Sequence, residues 1–352
     1  MRGVTVSDFY RLSDEEQAVR LTELARVALQ RWPGDYSAVT LIKYRENAVF
    51  SALGSDGRKV AVRVHRHAYH SDDALRSELQ WMQALGRDGI EVPPIIPTSD
   101  GDIFAIVAVP GVPEPRQVDV LGWMAGVPAG SSEEGLEADE DGAERLFFGA
   151  GALAARMHDQ VKAMALPEGF TRHAWDDDGL IGADPFWGRF WELEQLTAEQ
   201  HDLLQQARAS ARDDLAAFGK HADNYGLIHA DFVPENLLVE DGRLKLIDFD
   251  DGGYGWHMFD LATALYFNLD HPAYDRMERA LFEGYRSVRA LPDADGALLP
   301  LFMFLRSTTY LGWVQTRPET QTAKELGPML IERACLVARR YLDDRAQAGV
   351  AA

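Results

Sequence analysis

The residues best suited to chemistry lie in one stretch. It runs Leu227-Ile228-His229-Ala230-Asp231-Phe232-Val233-Pro234-Glu235-Asn236, then Leu237-Leu238-Val239, the turn residues Glu240-Asp241-Gly242, and Leu244-Lys245-Leu246-Ile247-Asp248-Phe249-Asp250-Asp251. Apolar runs flank Asp241-Gly242, a dipeptide that favours tight turns, so a short hairpin is expected with Asn236 before its first strand and Asp248 ending its second. Turning back on itself, such a hairpin is expected to bring Asn236 and Asp248 together. One amide oxygen and one carboxylate suit a hard divalent cation such as Mg²⁺, which prefers oxygen ligands, keeps part of its water and takes phosphate oxygens for the rest. Asp231 then stands as a carboxylate beside a metal, on the loop that leads into the hairpin. Alone, Asp231 would be a turn residue or a helix cap, as most loop aspartates are. Its spacing to Asn236 and Asp248 favours catalysis. Asp250 and Asp251 read equally well as solvated strand-end residues or as metal or nucleotide contacts.

These groups need elements to hold them. Val19, Leu21, Leu24, Val27 and Ala28 recur near helical spacing in residues 15–30, which predicts an opening amphipathic helix before Trp32-Pro33-Gly34. From Ser37 to Val109, short runs rich in Val, Ile and Phe alternate with Asp56-Gly57 and Asp100-Gly101, which predicts an antiparallel sheet. One helix interrupts it, capped by Ser71, with Asp72 and Asp73 in its first turn and Leu75, Leu79, Met82 and Leu85 on one face. The predicted order is strand, strand, strand, helix, strand, strand. Pro110, Gly111, Pro113 and Pro115 form a stiff connection, and helical patterns dominate beyond it. The expected class is therefore α+β, with domains at 1–109 and 110–352. Residues 131–144 hold seven acidic side chains and are expected to form a solvated insertion loop. The aromatic-rich stretch 172–191 is expected to be a loop packed over the surface.

Composition removes several classes of function. With 352 residues, 46% hydrophobic and 26% charged, the chain can bury a sizeable core, so disordered and fibrous classes are excluded. Its formal charge of −21 repels a phosphate backbone, so nucleic acid is not expected as a partner. The single cysteine, Cys335, can build neither an internal disulfide nor a zinc cluster. No segment reaches the ~18 consecutive apolar residues of a membrane span and Met1 to Arg11 has no signal-peptide core, so a cytoplasmic location without a membrane partner is expected.

The motif His229-x-Asp231-x-x-x-x-Asn236 with Ile247-Asp248-Phe249-Asp250 resembles the aminoglycoside phosphotransferase and choline kinase branch of the protein-kinase-like superfamily. The resemblance runs from about Tyr36 to about Asn268. In finer detail it extends to type II homoserine kinase-like and stress-response kinase-like members. It implies a two-lobed fold, an interlobe hinge near Pro110, and transfer of the γ-phosphoryl group of ATP to a hydroxyl, with the phosphates between the lobes. Asp231 is implied to orient the acceptor and take its proton, and Asn236 and Asp248 to hold Mg²⁺. In Lys59-Val60-Ala61-Val62-Arg63-Val64, Arg63 stands where the family's phosphate-contacting lysine is usual, and Glu78 resembles that cation's ion-pair partner. No Gly-x-Gly-x-x-Gly precedes it. Asn47, in Tyr44-Arg45-Glu46-Asn47-Ala48-Val49-Phe50, is taken as the tip of the phosphate-covering loop. His229 is expected to brace the catalytic loop by hydrogen bonding, as is Asp260 in Phe259-Asp260-Leu261-Ala262. Asp250 in place of the Asp-Phe-Gly glycine, and the lack of an Ala-Pro-Glu segment, tilt the reading toward a small-molecule acceptor such as an amino alcohol or amino sugar.

Plainer roles compete. Arg63 shares a strand face with Ala61, where exposure is common, and Glu78 by itself reads as a solvated helix residue. Asp260 by default caps a helix. His65, His67 and His70 match no familiar metal-ligand spacing and read as a solvated loop. Phe302 to Leu305 reads as buried helix packing, and the Asp176 to Asp178 run as a solvated turn. Alternative functions are a serine/threonine protein kinase of the stress-response type, using the same residues on a peptide hydroxyl, and a nucleotide-binding pseudokinase, for which Arg63 leaves room. An unrelated metal-dependent hydrolase ranks behind these.

Overall fold

Ser13 opens the first helix, α1 (Asp14–Leu29), through a reciprocal capping box in which its hydroxyl accepts from the Glu16 N–H and the Glu16 carboxylate accepts from the Ser13 N–H. The helix buries Leu21, Leu24, Ala25 and Ala28, while Val19, expected on that face, is exposed. The computed structural model describes residues 9–131, 135–136 and 138–351. Two compact units result. The first comprises Met1–Gly126, Leu166–Thr171 and Lys245–Asp250; the second comprises Val127–Ala165, Arg172–Leu244 and Asp251–Ala352.

In the first unit the chain forms β1 (Tyr36–Tyr44), β2 (Ala48–Gly54), β3 (Lys59–Val64), α2 (Asp72–Arg87), β4 (Ala105–Val107) and β5 (Arg116–Gly122). The strands make one antiparallel sheet in the order β1-β2-β3-β5-β4. Successive strand residues point to opposite faces, so Val60, Val62 and Val64 of β3 join Val118 and Val120 of β5 against Leu21 and Leu24 of α1. Ala61 and Arg63 take the other face. Ser71 caps α2 as expected, accepting from the Ala74 N–H at 3.2 Å. The proline-rich stretch 110–115, expected to leave this unit, leads back into it. β5 pairs with both β3 and β4, because Val118 and Val120 complete the apolar face, and the unit runs on to Gly126.

The second unit holds β6 (Val127–Pro128), β7 (Gly130–Ser131), β8 (Gly135–Leu136), α3 (Glu140–Ala163), β9 (Ala174–Trp175), α4 (Asp177–Ile181), α5 (Ala198–Phe218), β10 (Tyr225–Ile228) and β11 (Leu237–Glu240). Asp241 and Gly242, both at positive φ (49° and 77°), turn β11 into β12 (Arg243–Leu246), as their sequence predicts. Then follow β13 (Gly253–Trp256), α6 (His257–Tyr266), α7 (Tyr274–Arg286), α8 (Asp293–Gly296), α9 (Leu299–Thr316) and α10 (Gln321–Ala351). The fold is α+β. No helix among the described residues is long and apolar enough to cross a membrane.

Two expected loops differ. Within 131–144, residues 132–134 and 137 lie outside the described residues. The rest is not simply solvated: Asp139 caps α3, and Glu140, Asp141 and Glu144 converge on Arg276 of α7. Within 172–191, β9 and α4 replace irregular chain, and Trp175 and Phe190 are core side chains with no exposed surface. That segment is fastened from inside, since Trp175 Nε1 donates to the Asp251 carbonyl at 2.7 Å and His173 stacks on Phe186. Asp176 caps α4, and Lys220 pairs with Asp176 and Asp177. The run Phe302 to Leu305 is buried helix packing, as read.

Candidate active site

In the second unit, β10 delivers the chain into His229-Ala230-Asp231, and a 3₁₀ turn at Pro234–Asn236 follows. Ala129, just after β6, ties that turn down by donating its N–H to the Leu237 carbonyl at 2.8 Å. Asn236 is buried, and its Nδ2 donates to both the Asp231 carbonyl (2.9 Å) and Asp231 Oδ2 (2.8 Å). With the amide nitrogen so committed, Oδ1 is the atom Asn236 can offer to a cation, and oxygen is what a hard divalent ion takes. The Asp231 side chain keeps a quarter of its surface exposed, open enough to be reached by a second molecule.

The loop's backbone is strained at one point and braced there. Ala230 has φ 64°, a left-handed conformation that a Cβ disfavours. Asp260 of α6 holds it: one carboxylate oxygen accepts from the Ala230 N–H at 2.7 Å and the other from the His229 N–H at 2.9 Å. Asp260 is not the cap of its helix, contrary to the default reading; Trp256 occupies that position, and the carboxylate turns inward. His229 Nδ1 accepts from the Asp231 N–H at 3.3 Å. Behind Asp260, His158 of α3 donates Nε2–H at 3.1 Å and receives the Tyr285 hydroxyl of α7 at 3.0 Å. Burial raises the Asp260 carboxyl to about 6, in spite of the two backbone donors. Burial also holds His158 and His257, stacked 4.3 Å apart, well below the usual imidazole range.

Sequence reasoning missed Arg306. It comes from α9, is completely buried, and donates Nη2 to Asp231 Oδ1 at 2.7 Å and Nη1 to the Ala230 carbonyl at 2.9 Å. The one available signal was a lone arginine ending an apolar helical run, since a buried guanidinium must be paired.

In the first unit, Arg63 of β3 is buried rather than exposed. Its Nη1 donates to Glu78 Oε1 of α2 at 2.8 Å, the expected pair. The unexpected partner is Asp119 of β5, directly opposite Arg63 in the strand register, which takes Nε at 2.9 Å and Nη2 at 2.8 Å as a two-pronged fork. A carboxylate inside Val118-Asp119-Val120 was the sequence signal. Burial pushes Asp119 up, but Arg63 and His65 outweigh it and hold it down at about 2. His65 and His70 are buried and not a solvated loop: His65 Nε2 donates to Asp119 at 2.7 Å and His70 Nε2 to the Asp250 carbonyl at 2.9 Å. His70, Glu78 and Asp250 each bring one potential ligand atom within 4.8 Å of the others, beside the Arg63 cation. Asn47 sits in the turn from β1 to β2, where its Oδ1 accepts from the Arg66 N–H at 3.1 Å. Asp248 belongs to the segment Lys245–Asp250 of this unit, held by the Leu246 N–H on the Glu91 carbonyl (2.9 Å) and by Trp81 edge-on to Phe249. Its φ of 65° is a second left-handed strain at a motif residue.

The model of the phosphotransferase enzyme family (APH) matches residues 40–292 of this chain. The chain belongs to that family. This phosphotransferase is 26% identical over 329 residues to the amicoumacin kinase of Bacillus subtilis (strain 168), covering 90% of each chain. To the homoserine kinase of Gluconobacter oxydans (strain 621H) it is 28% identical, covering 84% of this chain and 90% of the other. Among solved structures, a microcompartment-associated aminopropanol kinase superposes with a TM-score of 0.79 at 32% identity, covering 91% of this chain and 97% of that one. The protein is thus a phosphotransferase, and these relatives are kinases.

Proposed function

We propose that the protein transfers the γ-phosphoryl group of ATP to the hydroxyl of a small amino alcohol or a related amino-bearing acceptor, with Mg²⁺. The first unit is the nucleotide-binding unit and the second carries the catalytic loop and the acceptor site. One observation carries this reading: Asp231 is a partly exposed carboxylate held by donors on both oxygens, the state needed to orient a hydroxyl and receive its proton. The likeness to the aminopropanol kinase supports the acceptor class.

As the acceptor oxygen bonds to the γ-phosphorus, its proton passes to Asp231, the bond to the bridging oxygen breaks, and ADP leaves with that electron pair. Asn236 Oδ1 and Asp248 would hold Mg²⁺, which neutralises phosphate charge when bound. Arg63 keeps two of the five N–H donors of a guanidinium outside its carboxylate bonds and offers them to the nonreacting phosphates, while Glu78 fixes its direction. Asn47 closes the phosphate-covering turn. His229 and Asp260 support the loop through its backbone.

The test is turnover of MgATP with a panel of amino alcohols, headed by 1-amino-2-propanol, alongside homoserine and generic protein substrates. Asp231→Asn is expected to lower kcat by about 10³-fold with ATP affinity within about twofold. Phosphate found only on protein, or wild-type rates in that variant, would refute the proposal.

A further inference from the structure

α9 is apolar from Leu299 to Leu305 apart from Pro300, and then carries Arg306 with no exposed surface. The guanidinium serves three oxygens of the second unit: the Ala230 carbonyl, Asp231 Oδ1, and the Tyr310 hydroxyl at 2.5 Å. Its Nε–H meets no acceptor among the described residues. The cation also lies 4.3 Å from the Tyr310 ring centroid, 5.7 Å from Phe259 and 6.0 Å from Trp187. Trp187 is brought there by close packing of its loop on α9, where a Cβ at Gly312 would stand 2.8 Å from the Gly188 carbonyl.

Stability does not account for this arrangement. Burying an ion pair costs desolvation that apolar packing avoids, and here one donor remains unsatisfied as well. An aliphatic residue would continue the helix face. What the arginine gives is geometry. Arg306 holds one oxygen of Asp231 and Asn236 the other, so the plane of the carboxylate is set by two donors. The same guanidinium holds the carbonyl of Ala230, the strained residue immediately before. A lysine, a single point of charge, cannot span these acceptors as a planar fork does.

We propose that Arg306 is a positioning residue for phosphoryl transfer, fixing the rotation of the Asp231 carboxylate and the Ala230-Asp231 backbone so that a lone pair of Asp231 faces the acceptor hydroxyl. This rests on the assignment of Asp231 as the proton acceptor. Tyr310 acts one step further out, its hydroxyl accepting from the same Nη2 that bonds Asp231.

The test uses the full chain and follows ADP formation from MgATP with 1-amino-2-propanol and, separately, with water as acceptor, so that it does not wait on the best acceptor. Arg306→Met is expected to lower kcat about 100-fold with KM for ATP within about twofold, and Arg306→Lys to regain about tenfold of that loss. A role through Asp231 also requires non-additivity: in an Asp231→Asn background, Arg306→Met should cost less than about twofold more. An equal further loss there, or a kcat within about threefold of wild type in Arg306→Met, overturns the inference. So does a rise confined to the acceptor KM, which would make Arg306 an acceptor-binding group. Should Arg306→Met not fold, Arg306→Lys in the same two backgrounds decides the matter by the same non-additivity. Wild-type turnover in Asp231→Asn defeats the base assignment and this inference together. Wild-type turnover in Arg306→Met with an inactive Asp231→Asn defeats the inference alone.

Discussion

At the scale of single residues, the arginine at position 63 has a matched structural counterpart. Asp119 faces Arg63 across the β3–β5 ladder and engages it through two parallel N–H bonds, while Glu78 takes a third. An ammonium group could not make that fork, so Arg63 and Asp119 form a matched pair. Arg63→Lys is therefore expected to cost about 1.5–3 kcal/mol of stability through a lost charged hydrogen bond. Asp119→Ala should cost about 3–5 kcal/mol, because it strips most of the compensation from a buried cation. Urea unfolding of both variants checks this, and an Arg63→Lys protein as stable as wild type would show that the fork contributes nothing.

At the scale of elements, α3, α6 and α7 share one buried polar network beneath the His229–Asp231 loop: Asp260, His158, Tyr285 and the stacked His257. It makes stability depend on pH in a defined direction. Burial keeps His158 and His257 neutral in the folded protein. Below pH ~6.5 the unfolded chain takes up two protons that the native state refuses, and stability falls with acid by about 1.4 kcal/mol per pH unit for each. Asp260, raised by burial to about 6, acts oppositely. Between its unfolded value and pH ~6 the folded state holds one extra proton, which offsets one of the two histidines. Stability should therefore begin to fall below pH ~6.5 and settle at about 1.4 kcal/mol per pH unit below pH ~6, half of what the two histidines alone would give. Below pH ~4, Asp119, held at about 2 by Arg63 and His65 against its burial, adds a further loss. Urea midpoints across pH 7 to 4 report this, and His257→Gln should remove about one proton's worth of the slope. A flat profile through pH 6 would exclude neutral buried imidazoles.

At the scale of the whole molecule, the charge of −21 opposes compaction through self-repulsion. Several exposed ion pairs, such as Arg276 with Asp141 and Arg58 with Asp56, act in the other direction, but each contributes little in water. The net field dominates. The melting temperature is expected to rise as salt is added from low ionic strength to physiological levels, where the screening length falls to about 8 Å. Calorimetry in a NaCl series tests it; a fall would mean that the pairs outweigh the repulsion.

Much of this was legible in sequence because it depends on near neighbours. The Ser71 cap, the Asp241-Gly242 turn and the alternation of β3 follow from local hydrogen bonding and side-chain period, which act over a few residues. The family motif rests on the same short range. The tertiary structure decided the rest: that β5 returns to the first unit, that Asp119 meets Arg63, that His65 and His70 are buried, and that Arg306 reaches Asp231 from a distant helix. A charge within an apolar run announces that it must be paired, because an unpaired buried ion is too costly to keep. Which partner it finds is set by strand register and helix packing, and these are properties of the assembled chain.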